Sequence, residues 1–340
     1  MPEKGKHSKM AESFGYAWHV IAPILLMVAA GFFARRVLPM DLKFYQQFNK
    51  LCFRIFLPVS LFCNTYKISD LGSISWKVLL FIIFGILLAV LIGVAVVRFV
   101  PSRAEKGVLV QASFRSNNTV IGLYIATALG GEAAEGFAVA ALAAAVCLFN
   151  ILAVVILEYY AGTGKKSIRE TVRALTKNPL LIAIFLGLIC ILVRETEISI
   201  LGTARFTLKD SMPSLYTALT DFSKVATPAM VFNLGALLDF KATKEKLGRI
   251  VLGISLRLVI VPLVCLSLAV WFRGALGITA VEFPALIAIF ASPAAVAGRV
   301  MVAEIGGDSQ LASQIIVWST AFSMVTLFLF IFAGRLGGFI

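Results

Sequence analysis

Histidine is almost missing from this chain: there are two, His7 and His19, both near its start. That is too few for a histidine metal cluster, and no Ser-His triad can be built from them. Charge is scarce as well, at 14% of residues, and only 18 side chains are acidic. Clustered carboxylates for acid–base work are therefore absent, which argues against a membrane enzyme. The five cysteines, Cys52, Cys63, Cys147, Cys190 and Cys265, all lie inside apolar runs, and none forms a C-x-x-C. They read as small buried apolar residues rather than ligands or disulfide partners. No G-x-x-x-x-G-K-[ST] sequence occurs, so a primary pump is not expected. No cofactor and no metal are called for.

What is present is apolar. Sixty per cent of the 340 residues are hydrophobic, and the mean hydropathy is +0.94. A soluble domain is closer to half apolar and a quarter charged. The formal net charge of +13 reads in such a chain as basic cytoplasmic loops, not as a nucleic-acid surface. Apolar runs fall at 17–34, 47–66, 76–100, 108–130, 133–160, 178–193, 214–238, 250–272, 279–303 and 310–334. Each can cross a bilayer, some only with tilt or flanking anchors. Runs this continuous are helical, because only helices and closed barrels satisfy the backbone in lipid. The expected fold is an all-α polytopic membrane protein of ten transmembrane helices.

Sixteen of the 31 Lys and Arg residues fall in or beside the loops after spans 1, 3, 5, 7 and 9. The positive-inside rule then places those loops in the cytoplasm and both termini outside. Lys4, Lys6 and Lys9 oppose this weakly, and a start at Met10 would sharpen it. Arg35 and Arg36 directly follow the first run, so it reads as a retained helix and not as a cleaved leader. The basic stretch Lys165, Lys166, Arg169, Arg173, Lys177 reads as a solvated cytoplasmic loop, with a lipid-headgroup or partner site as the alternative.

Self-comparison exposes a repeat. Phe114, Ser116, Val120, Gly122, Gly130-Gly131 and Glu132 match Phe290, Ser292, Val296, Gly298, Gly306-Gly307 and Asp308 at a constant offset of 176. Spans 2 and 7 align Arg54, Pro58 and Phe62 with Lys224, Pro228 and Phe232. Spans 1 and 6 share Pro23/Gly31 and Pro179/Gly187. Two five-span halves follow, 1–162 and 178–340, joined by the basic loop 163–177. Five is odd, so the second half is inverted, an architecture of many secondary transporters.

Spans 4 and 9 carry helix-breaking chemistry at equivalent places. Asn117, Asn118 and Thr119 compete for backbone hydrogen bonds, and Gly122 adds freedom. Pro293 removes a donor and disfavours helix at Ser292, with Ala294 and Gly298 following. Each break starts a half-helix whose N-terminus, near Val120 or Ala295, carries partial positive charge and suits an anion. Ordinary kinks are the alternative. The paired Gly-Gly-acid sequences read as structural, a glycine exit and then an acidic cap.

Ionisable residues at membrane depth are Arg54, Arg115, Asp221, Lys224, Arg257 and Arg299, each costly there unless it serves a purpose. Arg299, beside Gly298, is the candidate partner of a substrate carboxylate. Arg115 serves either that site or the helix C-terminus. Asp221 and Lys224, three apart, form a local ion pair or, with Arg54, a coupling or support site.

Phe114-Arg-Ser-Asn-Asn-Thr-Val-Ile-Gly-Leu123, Ser292-Pro-Ala-Ala-Val296 and Ala303-Glu-Ile-Gly-Gly-Asp308 resemble the auxin efflux carrier family. Asn49-Lys50 with Pro58 and Phe62 resembles its second span. The family includes bacterial malonate and malate permeases and plant PIN-type auxin transporters. The resemblance implies crossover helices 4 and 9 and a homodimer. Its scaffold would be helices 1, 2, 6 and 7, past which helices 3–5 and 8–10 move as an elevator. It also implies that Asn117, Asn118, Ser292 and Pro293 line a carboxylate site. Tyr124 stands where many relatives have proline, and the long loop of some plant members is missing. The expected function is secondary-active transport of small mono- or dicarboxylates across the cytoplasmic membrane. A cation-coupled carrier of a non-anionic solute, or a channel, is the alternative.

Overall fold

A computed structural model describes residues 2–67, 75–161, 176–177, 179–201, 207–238 and 246–340. Lys165, Lys166, Arg169 and Arg173 of the basic loop lie outside the described residues, among which there is no strand. The helices are α1 (Pro2–Val37), α2 (Leu42–Leu51), α3 (Leu57–Tyr66), α4 (Trp76–Val97), α5 (Arg103–Phe114), α6 (Leu123–Ala161), α7 (Pro179–Leu201) and α8 (Leu208–Ser211). They continue as α9 (Pro213–Ala236), α10 (Leu247–Ser255), α11 (Val261–Trp271), α12 (Arg273–Leu276), α13 (Phe283–Ala291), α14 (Ala297–Ile305) and α15 (Ser309–Leu336). π-Helical turns at Cys52–Phe56, Asn118–Gly122 and Leu256–Ile260 join α2 to α3, open α6, and join α10 to α11.

Among the described residues six stretches are long and apolar enough to cross a membrane: Met10–Val37, Trp76–Val97, Asn118–Ala161, Pro179–Ile200, Leu247–Trp271 and Ser309–Leu336. The other expected spans fall short for physical reasons. The second is diluted by Gln46, Gln47, Asn49, Lys50 and Arg54, and α9 by Asp221, Ser223, Lys224 and three threonines. The ninth is split into α13 and α14. The fourth and fifth merge in α6, where Gly131 at φ 64° breaks the helical path.

The second Gly-Gly-acid sequence does what its residue types predict. Gly306, at φ 94°, closes α14 in the left-handed conformation. Asp308 then caps α15 by accepting the Leu311 N–H.

The chain divides into two compact units, each drawing on both halves of the sequence. Leu26–Ile74 and Arg173–Leu238 form one. Here glycine sets helix spacing: a Cβ at Gly31 would lie 1.8 Å from the Phe232 carbonyl oxygen, and one at Gly235 would lie 1.9 Å from that of Val28. Backbones approach this closely only without side chains. Gly187 similarly faces Thr65 and the Phe62 carbonyl. Arg35 donates to the Ala236 and Leu238 carbonyls, closing the C-terminal end of α9. Asn233 donates to Asn49, and Ser223 to Ser60.

Met1–Leu25, Ser75–Val172 and Asp239–Ile340 form the other unit. Phe290 of α13 fits the space left by Gly85 of α4, and Ser113 of α5 donates to the Ala89 carbonyl of α4. Two sets of contacts gather its helix ends. Arg249 pairs with Glu105 at 3.1 Å, and Lys246 pairs with Asp308. Elsewhere the Tyr16 hydroxyl donates to the Leu129 carbonyl, the Arg335 guanidinium lies over the Tyr16 ring, and that of Arg273 over Phe339.

Asp308 thus has two roles, cap and ion-pair partner. Partial burial pushes its carboxyl up, but the hydrogen bond and charge of Lys246 and the Leu311 amide outweigh this and hold it below its ordinary value. A lowered folded-state value means that its stabilisation is complete above the ordinary carboxylate range and lost as pH falls through the lowered one. Asp308→Ala is expected to cost about 1–2 kcal/mol at neutral pH. Lys246→Ala should cost less, because the cap survives. Denaturant unfolding in micelles checks this, and a larger loss for Lys246→Ala would contradict it.

Candidate functional site

Two interrupted helices meet in the larger unit. α5 ends at Phe114, Arg115 is extended (φ −82°, ψ 93°), and a π-helical turn begins at Asn118. α13 ends at Ala291, Ser292 is extended (φ −65°, ψ 152°), and α14 resumes at Ala297. Pro293 explains the second break, since its ring keeps Ser292 out of the helical region and offers no N–H. The breaks repair each other. Asn117 N–H donates to the Pro293 carbonyl at 2.7 Å, and Ala295 N–H to the Arg115 carbonyl at 3.0 Å. Ser116 and Ala294 therefore face one another as an isolated antiparallel bridge. The Ala294 N–H is taken by the Ser319 hydroxyl of α15.

The carbonyls at the ends of α5 and α13 would otherwise be orphaned. Arg257, in the π-helical turn after α10 and 1% exposed, supplies their partner. Its Nε donates to the Ser292 carbonyl at 2.8 Å and its Nη1 to that of Ser113 at 2.9 Å. Its Nη2 reaches Ile289 at 2.9 Å and also Phe290. One guanidinium thus binds the negative ends of two half-helices, a task for a planar fork of donors and not for an ammonium point charge.

Around the crossing the polar side chains are buried and incompletely paired. Gln111 Nε2, Ser116 Oγ, Asn117 Nδ2, Asn118 Nδ2 and Ser292 Oγ have no hydrogen-bond partner among the described residues. Each such atom costs on the order of 1–3 kcal/mol when left alone in an apolar interior, so several within one crossing call for an explanation. Amides and hydroxyls can all present N–H or O–H to an acceptor. Arg115 adds charge: it is 8% exposed and donates to the Phe149 carbonyl and to Asn150 Oδ1. Among the described residues no carboxylate pairs with Arg115 or Arg257.

The structure brings Asn117, Asn118, Ser292, Pro293, Ala294 and Gly298 together as buried residues. Thr119 is half-buried beside them, its hydroxyl 3.5 Å from Asn118 Oδ1. Gly122 packs where a Cβ would lie 2.8 Å from the Ala288 carbonyl. Arg299 is on α14 next to Gly298, but it is exposed. Arg54, Asp221 and Lys224 belong to the other unit and are exposed. There Asp221 and Lys224 form an ion pair at 2.9 Å.

The roles of two residues of this site were not legible in the sequence. Arg257 was among the ionisable residues at membrane depth, but nothing in the sequence said what it faced. Gln111 gave no signal beyond being an amide one turn before Arg115.

A family model described as membrane transport protein matches residues 16–331 of the chain. No curated protein matches it.

Arg257→Met should remove the partner of four carbonyls and destabilise the protein by about 3–5 kcal/mol, with Arg257→Lys recovering only part. Arg299→Met, at an exposed position, should stay within about 0.5 kcal/mol of wild type. Equal losses for Arg257→Met and Arg299→Met in unfolding measurements would contradict the role given to Arg257.

Proposed function

The chain belongs to the auxin efflux carrier family of membrane transport proteins, and from that premise we propose that it is a secondary-active carrier of small mono- or dicarboxylates. The observation that carries this reading is the cluster of buried, unpartnered amides and hydroxyls at the crossing of two broken helices. Two buried arginines, Arg115 and Arg257, without carboxylate partners among the described residues lie beside it. An anion is what such a place lacks. In this reading Asn117, Asn118, Thr119 and Ser292 hold the cargo, and Pro293, Ala294, Gly122 and Gly298 shape the space. Arg299 attracts the anion from the exposed side of α14.

The same reading takes the ten runs as ten spans in two inverted five-helix halves. Several contacts support it. Glu105, Arg249, Lys246 and Asp308 pair with one another, and they flank the loops after spans 3, 7 and 9, which ten crossings put on one side. Tyr16, Leu129 and Arg335 meet likewise, near the N-terminus, the loop after span 4 and the C-terminus, which belong on the other side. The repeat also recurs in packing: Gly31 faces the carbonyl of Phe232, and Gly187 faces that of Phe62, with each partner the repeat-mate of the other.

Elevator movement is supported by the division into two compact units. The unit of 26–74 and 173–238 holds the second half of helix 1 with helices 2, 6 and 7 and would be the scaffold that forms the homodimer, while the first half of helix 1, up to Leu25, belongs to the other unit. The other unit would carry the cargo. Placement in the cytoplasmic membrane with both termini outside rests on the loop charges. Arg54, Asp221 and Lys224 would form a support site on the scaffold.

Flux of labelled short carboxylates into or out of proteoliposomes tests the reading. Asn118→Ala should slow saturable transport about tenfold or more, the value of one hydrogen bond to a charged group. Wild-type flux in both Asn118→Ala and Arg299→Ala would contradict the site. Transport indifferent to competing carboxylates would contradict the anionic cargo.

A further inference from the structure

On the α5 side of the crossing is a small cavity whose lining includes Gln111, Arg115, Ala294, Ala295 and Gly298. We propose that this cavity is the pocket for the cargo's carboxylate group, with the Arg115 guanidinium and the Gln111 amide as its ligands. The proposal rests on the reading of an anionic cargo and says where its charged end goes.

Gln111 is 4% exposed and its Nε2 has no partner. It precedes Arg115 by four residues, one helical turn along α5. The bonds of the Arg115 guanidinium to Phe149 and Asn150 go to neutral oxygens. Asn150 is itself fixed by donating to the Val146 carbonyl at 2.8 Å. The guanidinium is therefore held in place with its charge uncompensated, the state in which a carboxylate gains most from a charge-assisted bond. Gly298 keeps the lining from closing further, since a Cβ there would lie 3.2 Å from Gln111 Oε1 and 3.7 Å from Arg115 Cδ. The cavity, about 20 Å³, takes a water-sized group and would have to widen for a whole carboxylate.

The second half of the chain serves as an internal control. A cavity on the other side of the crossing is lined by Asn118, Leu123, Ala138, Leu142, Ala285, Ala288 and Ile289, with Asn118 and Ala288 the repeat-mates of Ala294 and Ala112. It is apolar but for one amide. Where α5 has Gln111 and Arg115, α13 has Ile287 and Ala291, and it forms a buried half-helix without them. The architecture does not require the amide and the guanidinium, so their presence on one side alone points to a ligand.

The test is thermal unfolding of the full-length purified protein with acetate, succinate and benzoate. Acetamide, succinamide and benzamide serve as neutral counterparts, with chloride at matched ionic strength. Wild type should be stabilised by at least one carboxylate and not by its amide or by chloride. Gln111→Leu removes an unpaired buried amide, and Gly298→Ala adds a methyl group 3.2 Å from Gln111 Oε1, tight enough that the flexible amide must shift by a few tenths of an ångström. Without ligand Gln111→Leu should melt at or above the wild-type temperature and Gly298→Ala close to it, yet both should need about tenfold more carboxylate for the same shift. A purely structural role predicts the reverse, lower melting with an unchanged response. If both variants respond like wild type, the pocket is wrong while the carrier reading stands. A wild type that no carboxylate stabilises overturns the anionic cargo and the pocket together, as does an equal response to chloride. Should Gln111→Leu fail to fold, Gly298→Ala decides alone.

Discussion

A backbone in an apolar medium must hydrogen-bond all of its own polar groups, and the rest of this structure depends on how that demand is met where two helices break. Each break releases N–H and C=O groups that lipid cannot satisfy. Some pair across the crossing, through Asn117 with Pro293 and Ala295 with Arg115. The carbonyls that remain, at Ser113, Ile289, Phe290 and Ser292, converge on Arg257. Carbonyl surplus is thus absorbed by a cation that belongs to the protein. The surplus on the donor side, the amides of Gln111, Asn117 and Asn118, is left unpaired. This imbalance leaves the crossing with donors to spare, for which the proposed anionic cargo would be the acceptor.

The demand also explains why stability and function are separable here. Arg257 holds the ends of α5 and α13 and is inaccessible, so it acts on the site only by positioning those helices. Arg115 makes two hydrogen bonds to α6 while the amides are left unpaired, and the second half forms its half-helix with Ile287 and Ala291 in the places of Gln111 and Arg115. The smaller unit shows the opposite arrangement. Gly31, Gly187 and Gly235 bring backbones into contact, and Arg35, Asn49 and Asn233 pair with partners in the same unit.

Much of this was legible in the residues. Continuous apolar runs announced helices, because period and length leave few alternatives. Pro293 announced its break, since a missing N–H is a local property. The Asn117–Thr119 break was legible only by comparison with its repeat-mate, and the Gly306–Asp308 exit and cap followed from residue type. Arg257 and Gln111 were not legible as site residues, because their roles depend on which carbonyls and which cavity stand opposite them. Arg299 shows the converse. Its neighbour Gly298 is buried at the crossing, but one residue is about 100° of helix rotation, and Arg299 points to the exposed side. The expected second, seventh and ninth spans are less apolar or interrupted, because in these segments polar residues and helix breaks displace lipid-facing ones.

The central claim is that the crossing of α5–α6 with α13–α14 receives a carboxylate. An experimental structure of the protein in lipid nanodiscs, determined with a bromine-labelled aryl carboxylate, tests it most directly. Ligand density is expected beside Gln111, Arg115, Asn118 and Gly298. Density confined to the unit of Leu26–Ile74 and Arg173–Leu238, with the crossing unchanged and empty under saturating ligand, would contradict it.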